Sequence, residues 1–169
     1  MPSIAQKLYD TWKYPVIAYT LLACLYIVAL PGEYKWFSFH PVAMLLGFVC
    51  LASNAIMIKK IGGYENTKMH GILFFTALAC AFFGWYVIYS NKEMGGKHHL
   101  TTLHGKLGVG TLLGYLGVGI FGGVALHPDW GLLKTNQSLR ALHKWAGRVT
   151  TALAWYVCVL GKCPSQQYG

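Results

Sequence analysis

The sequence predicts an all-α integral membrane protein with five transmembrane helices. Hydrophobic residues make up 55% of the 169 residues and charged residues only 11%, whereas a soluble domain carries roughly 25% charged residues. The chain contains five long apolar runs, and all its acidic residues lie outside them. The mean hydropathy of +0.43 agrees with this interpretation.

Local signals set the predicted ends of the helices. Pro31-Gly32 ends the first apolar run, and Lys59-Lys60 closes the second. Thr101 or Thr102 can cap the fourth helix, because a threonine hydroxyl accepts a hydrogen bond from the first turn. A helix of about 18 residues is ~27 Å long, which suits a hydrocarbon core of ~30 Å. The predicted spans are about 14–30, 40–58, 69–90, 101–126 and 139–161.

These spans form one domain, 14–161, which follows an amphipathic lead, 1–13, and precedes a short tail, 162–169. The formal net charge is +9, which in a soluble chain would suggest a nucleic-acid partner. Here the basic residues lie in short loops beside apolar runs, where they set orientation and contact lipid headgroups. We therefore expect a lipid bilayer as the partner and no nucleic acid.

The fourth predicted helix is rich in glycine and begins at a histidine. His104 opens an apolar segment that contains no acid or base after Lys106, and its glycines run from Gly105 to Gly123. Glycine costs a water-exposed helix roughly 1 kcal/mol relative to alanine, but in lipid the backbone stays helical because it finds no water. A glycine face allows either close helix packing or the approach of a flat macrocycle that His104 ligates. This segment alone leaves both alternatives open.

Four histidines occupy equivalent positions in the predicted bundle. Each lies within about one turn of the start of helix two, three, four or five. Successive helices run in opposite directions, so their starts alternate between the two membrane faces. This alternation pairs His40 with His104 near one face and His70 with His143 near the other. Ionisable groups in a span are costly and usually functional, and the arrangement favours two bis-histidine haem sites.

A site for zinc or non-haem iron is the chemical alternative for these histidines. Zinc usually takes three or four protein ligands that include carboxylate or thiolate, and non-haem iron takes a carboxylate as well. The five acidic residues all lie outside the predicted spans: Asp10, Glu33, Glu65, Glu93 and Asp129. The sequence therefore favours haem, which needs only two imidazoles because it supplies its own nitrogens.

A haem with both axial positions filled transfers single electrons, because it has no open position for dioxygen. Two haems, one near each face, divide a crossing of ~30 Å into shorter steps. The face with the N-terminus holds nine Lys and Arg residues and the other face five. By the positive-inside rule, the N-terminus and the His70/His143 site are cytosolic.

The motifs around the four histidines are FSFHPVAMLLGF, KMHG, GGKHHLTTLHGKLG and LRALHKWAG. In this order, and at histidine intervals of 30, 34 and 39 residues, they resemble the cytochrome b561 family, most closely its b561 domain-containing protein 2 branch. The likeness covers about residues 37–161. It implies a transmembrane ascorbate-dependent reductase with two haem b, whose axial ligands fall on His40 with His104 and on His70 with His143. Cytosolic ascorbate would be the donor, and monodehydroascorbate or a ferric chelate on the opposite side the acceptor.

The resemblance also points to substrate residues. Lys68 matches a basic residue that the family places at its cytosolic ascorbate pocket. His99 matches a histidine that several members place at the opposite substrate pocket, and an exposed loop imidazole beside His98 is the alternative interpretation of it. Further candidates for holding anionic ascorbate, chosen for positive charge near the cytosolic haem, are Lys60, Arg140 and Lys144.

Members of this family have six helices, whereas the fifth predicted helix is followed here only by KCPSQQYG. We expect either a truncated or alternatively spliced product, or a partner or second copy, as in a homodimer, on the open side of the bundle. Two other functions stay open: a haem-bearing membrane subunit of a larger redox complex and a non-redox multi-pass membrane protein. The branch resemblance favours an endomembrane location, the endoplasmic reticulum or a vesicle, over the plasma membrane.

Overall fold

The computed structural model describes residues 2–29 and 35–161, and every regular element within these ranges is a helix. The predicted tail, 162–169, and the Pro31-Gly32 boundary lie outside the described residues. The all-α class is confirmed. The helices are α1 (Ile4–Ala29), α2 (Trp36–Ile61), α3 (Tyr64–Met94), α4 (Leu103–Ala125) and α5 (Gln137–Leu160).

Among the described residues, α1, α2, α3 and α4 are long and apolar enough to cross a membrane. The 24 residues of α5 also give sufficient length, ~36 Å at 1.5 Å per residue. Its first half, however, carries Arg140, Lys144 and Arg148, which make it more polar than the other four. The fold is therefore an integral membrane bundle in which one helix is distinctly amphipathic.

The helices α1 and α3 extend furthest beyond their predicted spans. The helix α1 begins at Ile4, ten residues before the predicted start at 14, because the polar lead has its own helical contacts. The Ser3 hydroxyl accepts from the Gln6 backbone N–H at 3.1 Å, and Asp10 accepts from the Gln6 side chain at 2.9 Å and from Lys13 at 2.8 Å. Such pairs stabilise a helix turn. The 31 residues of α3 likewise give ~46 Å, more than the hydrocarbon core needs.

A two-glycine turn joins α2 to α3. Gly62 and Gly63 have φ angles of 83° and 90°, a region that side chains with a Cβ rarely adopt. The ten residues 59–68 that the predicted spans leave between these helices are therefore too many, because α2 continues to Ile61 and Tyr64 already begins α3. This tight turn brings α2 and α3 together as an antiparallel pair.

The helix α2 changes its winding along its length. A 3₁₀ turn, Trp36–Ser38, leads into α-helix Phe39–Met44, then a π-helical stretch, Leu45–Leu51, and α-helix Ala52–Ile61. A π turn widens the helix and often marks a functional region. Here the widened stretch approaches two neighbours. A Cβ on Gly47 would lie 2.8 Å from the carbonyl oxygen of Ala77 in α3, and the Trp155 indole N–H of α5 donates to the Phe48 carbonyl at 3.4 Å.

The helices α2, α3, α4 and α5 form a ring in which each packs against the next and α5 closes on the π-helical stretch of α2. The helix α1 packs outside this ring, against α2. Small residues at the centre allow close helix approach without a large hydrophobic driving force in lipid. The buried core consists of Phe48, Ala52, Ala77, Leu78, Ala81, Leu112, Tyr115 and Ala154.

We predict that Gly47→Ala destabilises the bundle by about 1–3 kcal/mol, the usual cost of overpacking. The new methyl group would collide with the Ala77 carbonyl, which is backbone and cannot rotate away. Gly110→Ala is the matched control, because a Cβ at Gly110 meets nothing within 4 Å. Thermal unfolding in detergent measures both. Equal melting temperatures for the two variants would contradict the close approach of α2 and α3.

Candidate cofactor sites

The four predicted histidines form two facing pairs inside the four-helix ring. The ring centroids of His40 on α2 and His104 on α4 are 6.1 Å apart, and those of His70 on α3 and His143 on α5 are 6.4 Å apart. In each pair the two helices stand on opposite sides of the ring. Because all four residues lie near the starts of their helices, the pairs occupy opposite ends of the bundle. The structure thus brings together the same partners that helix alternation pairs in the sequence.

Backbone carbonyls hold three of the four imidazoles. The Nδ1 atom of His40 lies 2.8 Å from the Gly84 carbonyl, that of His70 lies 2.9 Å from the Ala55 carbonyl, and that of His104 lies 3.0 Å from the Val157 carbonyl. A carbonyl only accepts, so Nδ1 carries the proton in each ring, and Nε2 carries the lone pair. Histidines that ligate a metal commonly donate their other N–H to such a carbonyl, which fixes the tautomer and the ring orientation.

The fourth imidazole, His143, is positioned by a glycine. A Cβ on Gly122 of α4 would lie 2.7 Å from Cε1 of His143, so only a glycine leaves room for this ring. Its Nδ1 is buried and has no hydrogen-bond partner among the described residues. Buried polar atoms are nearly always satisfied. This unsatisfied nitrogen is consistent with a site that takes a further group.

The spacing within the pairs fits axial ligation of one metal. An imidazole nitrogen lies about 2 Å from a metal that it binds, so two imidazoles on opposite sides place their centroids roughly 6 Å apart. Within the described ranges, no three His, Cys, Asp or Glu side chains converge on one point. Two nitrogens alone would leave zinc without its usual ligands, whereas a porphyrin supplies four. The donor set therefore fits haem.

A cavity of about 570 Å³ opens beside the His40/His104 pair, within the usual 300–1,000 Å³ of a cofactor site. Phe37, Trp85 and Tyr89 contribute aromatic rings to its lining, and Gly105 and Gly108 contribute bare backbone. These two glycines give α4 room for a flat group. Gly47 of α2 and Gly84 of α3 serve helix packing instead, since a Cβ on either would meet the neighbouring helix.

The predicted residue His99 lies at the edge of this cavity. Its ring stacks on Tyr89 at 4.7 Å, and its Nε2 lies 2.7 Å from a carboxylate oxygen of Glu93. Lys92 also lines the cavity and donates to the His98 carbonyl at 2.9 Å. Sequence reasoning missed Glu93 and Lys92. Both lie in the last turn of α3, which extends beyond the predicted span to Met94.

At the His70/His143 end, Lys68 and Tyr64 occupy one turn of α3. The Lys68 ammonium lies 5.0 Å from the centroid of the Tyr64 ring, and the Tyr64 hydroxyl donates to Asp129 at 2.5 Å. The second contact ties the loop between α4 and α5 to the start of α3. Lys68 therefore lies beside a loop that is held in place, two residues before His70.

The structure directs Lys59, rather than the predicted Lys60, towards the histidine pair. Lys59 is half-buried and donates to the Thr67 hydroxyl at 2.6 Å, whereas Lys60 is exposed. The charge of Lys59 acts on both His70 and His143, and Arg140 lies close enough to act on Lys59. Lys59 follows Ala55, the partner of His70, by four residues and so lies on the same face of α2, which only the structure identifies. Lys144 is exposed on α5.

The fold and the two pairs define a class: a helical membrane protein whose four-helix core presents a histidine pair towards each membrane face. The chain matches the family model described as eukaryotic cytochrome b561 over residues 39–166. It belongs to this family. Membership implies haem b as the cofactor.

Similar proteins in other organisms carry related names. Transmembrane reductase CYB561D2 of Bos taurus is 32% identical over 150 residues, which cover 81% of this chain and 65% of that protein. The Homo sapiens protein of the same name has the same identity and coverage. The probable ascorbate-specific transmembrane electron transporter 2 of Oryza sativa subsp. japonica is 40% identical over 93 residues, 53% of this chain and 39% of that protein. The match thus spans 65% of the length of the two animal relatives.

We predict that Gly122→Ala disturbs the His70/His143 site and leaves the other site intact. The added methyl group would overlap the His143 ring, which must then leave its position opposite His70. Haem content per chain should fall by about half, the loss expected when one ligand pair is broken. Gly117→Ala on the same helix is the control, since its Cβ meets nothing within 4 Å. A full haem content in Gly122→Ala would show that His143 is not a ligand.

Proposed function

We propose that this protein is a di-haem b-type electron-transfer protein that carries electrons from cytosolic ascorbate across a membrane. The observation that supports it most is the presence of two histidine pairs at opposite ends of one bundle, each spaced for axial ligation. His40 with His104 would hold one haem b, and His70 with His143 the other. The positive-inside rule, with nine basic residues against five, assigns the second pair to the cytosolic face.

When bound, haem b supplies a one-electron couple. The chain's own residues set the conditions for that couple. The Nδ1–H groups of His40, His70 and His104 donate to backbone carbonyls, which keeps Nε2 unprotonated and makes it a better ligand. If His40 with His104 and His70 with His143 each hold a haem b, no position would be left open for dioxygen. The site therefore favours outer-sphere transfer of single electrons.

Positive charge at the cytosolic end would attract the donor. Ascorbate is an anion at neutral pH, and Lys68, Lys59 and Arg140 lie at the same end of the bundle as His70 and His143. A group of like charges near a low-dielectric site concentrates an oppositely charged substrate. Lys60 and Lys144, which are exposed, would add to this field from the protein surface.

At the opposite end, His99 and Lys92 border the cavity beside His40 and His104. We assign this edge as the acceptor site, where monodehydroascorbate or a ferric chelate would receive the electron. Both acceptors suit a polar rim on an otherwise largely apolar cavity. The branch resemblance favours an endomembrane, the endoplasmic reticulum or a vesicle, as the location.

Transfer across vesicles tests this function. Ascorbate trapped inside proteoliposomes should reduce an impermeant ferric chelate outside, and protein-free vesicles give the background. His104→Ala should retain the haem at His70/His143, which ascorbate still reduces, but should not pass the electron to the outer chelate. Protein that carries two haems and yet moves no electrons in either orientation would contradict the proposal.

A pair of lysine variants tests the cytosolic substrate site. Lys59→Met should raise the KM for ascorbate roughly tenfold, which corresponds to about 1.4 kcal/mol, because a half-buried charge near the site is lost. Lys60→Met removes the neighbouring exposed charge and should change KM little, since exposed charges are screened. Initial rates of haem reduction by ascorbate measure both. Equal effects of the two variants would show that net charge, and not the position of Lys59, controls binding.

A further inference from the structure

Two buried aromatic side chains and one partly buried one lie between the two histidine pairs. They are Phe74 on α3, Tyr115 on α4 and Phe48 on α2, and all belong to or pack against the central core. The Phe74 ring lies 6.3 Å from the ring of His70 and 5.3 Å from that of Tyr115. Tyr115 in turn lies 4.8 Å from Phe48, which lines the cavity of His40 and His104. We call these three residues the aromatic chain.

The central step of the aromatic chain is geometrically well defined. Phe74 and Tyr115 stack with an interplanar angle of only 4°, and Tyr115 is 1% exposed. A Cβ on Gly119 would lie 2.7 Å from Cε1 of Phe74, so this glycine admits the phenyl ring between α3 and α4. Aromatic pairs prefer such offset or edge contacts and gain roughly 0.5–1.5 kcal/mol from them. The three rings therefore have little freedom to separate.

A hydrogen bond fixes the orientation of the Tyr115 ring. The Thr151 hydroxyl donates its single hydrogen to the Gly147 carbonyl at 2.7 Å. It therefore accepts from the Tyr115 hydroxyl, which lies 2.8 Å away. The phenol thus has its proton committed to a neutral acceptor. A threonine hydroxyl is not a base that could take this proton. The Tyr115 ring can therefore mediate electron transfer without itself being oxidised.

We infer that the aromatic chain is the electronic path between the two sites. This inference rests on the proposed function and adds the residues that carry the internal step. One electron leaves the His70/His143 site, which is oxidised, and enters the His40/His104 site, which is reduced. No bond forms or breaks and no proton moves. The packed rings mediate the transfer because contacting π-systems couple the sites better than the aliphatic side chains and gaps around them.

The test compares substitutions that remove a ring with one that keeps it. Tyr115→Leu and Phe74→Leu each interrupt the chain, whereas Tyr115→Phe retains the ring and loses only the hydroxyl. Phe82→Leu is the matched control, because Phe82 packs against the same core but makes no ring contact with the aromatic chain among the described residues. Haem content, the midpoint potentials and the electron paramagnetic resonance signals of both sites are measured in every variant. Unchanged midpoint potentials show that the driving force for electron transfer between the two sites is the same in each variant.

Light-triggered injection of an electron at one site then gives the rate of transfer to the other. We expect several-fold slower transfer in Tyr115→Leu and in Phe74→Leu, and wild-type rates in Tyr115→Phe and Phe82→Leu. Two independent ring deletions keep the test decisive if one of them fails to bind haem. Wild-type rates in a ring-deleted variant with unchanged potentials would overturn the path while leaving the proposed function intact. If the wild type itself holds two haems and transfers nothing between them, the proposed function fails and the path fails with it.

Discussion

The orientation of the histidine rings by backbone carbonyls is the constraint on which the sites depend. Gly84, Ala55 and Val157 each present a carbonyl to Nδ1 of a histidine on a different helix. Each bond therefore requires two helices to hold a defined rotation relative to each other. A rotation of about 100°, one residue of an α-helix, would turn the histidine away from its carbonyl. The packing of the helices and the orientation of the histidine rings therefore depend on the same contacts.

The widened stretch of α2 reconciles close packing with this requirement. Leu45–Leu51 is π-helical, and within it Gly47 lies against α3 while Phe48 faces Tyr115. The extra residue per turn shifts the phase of the segments on either side. His40 precedes the stretch and Ala55 follows it. One helix therefore contributes His40 to one histidine pair and the carbonyl that holds His70 to the other. Glycine at position 47 supports this function by removing a side chain where α3 comes closest.

Much of this arrangement can be predicted from the sequence. The rest cannot, for physical reasons. The pairing of His40 with His104 and of His70 with His143 follows from antiparallel alternation alone. Helix ends are less predictable because polar residues such as Asp10 and Lys13 stabilise helical turns outside the membrane. The choice between Lys59 and Lys60 depends on helix rotation, and the contacts of Phe48, Phe74 and Tyr115 depend on packing between three helices. The hydropathy pattern of the sequence predicts neither the helix rotation nor the ring contacts.

The most direct measurement of the central claim is the number and type of haems per chain in purified full-length protein. Quantified haem, combined with electron paramagnetic resonance of the oxidised protein, reports both. The proposed sites require two haem b per chain, each low-spin with two axial imidazoles, and the loss of one signal in His40→Ala and of the other in His70→Ala. A single haem that survives both substitutions, or folded protein without haem, would contradict the assignment of the two histidine pairs.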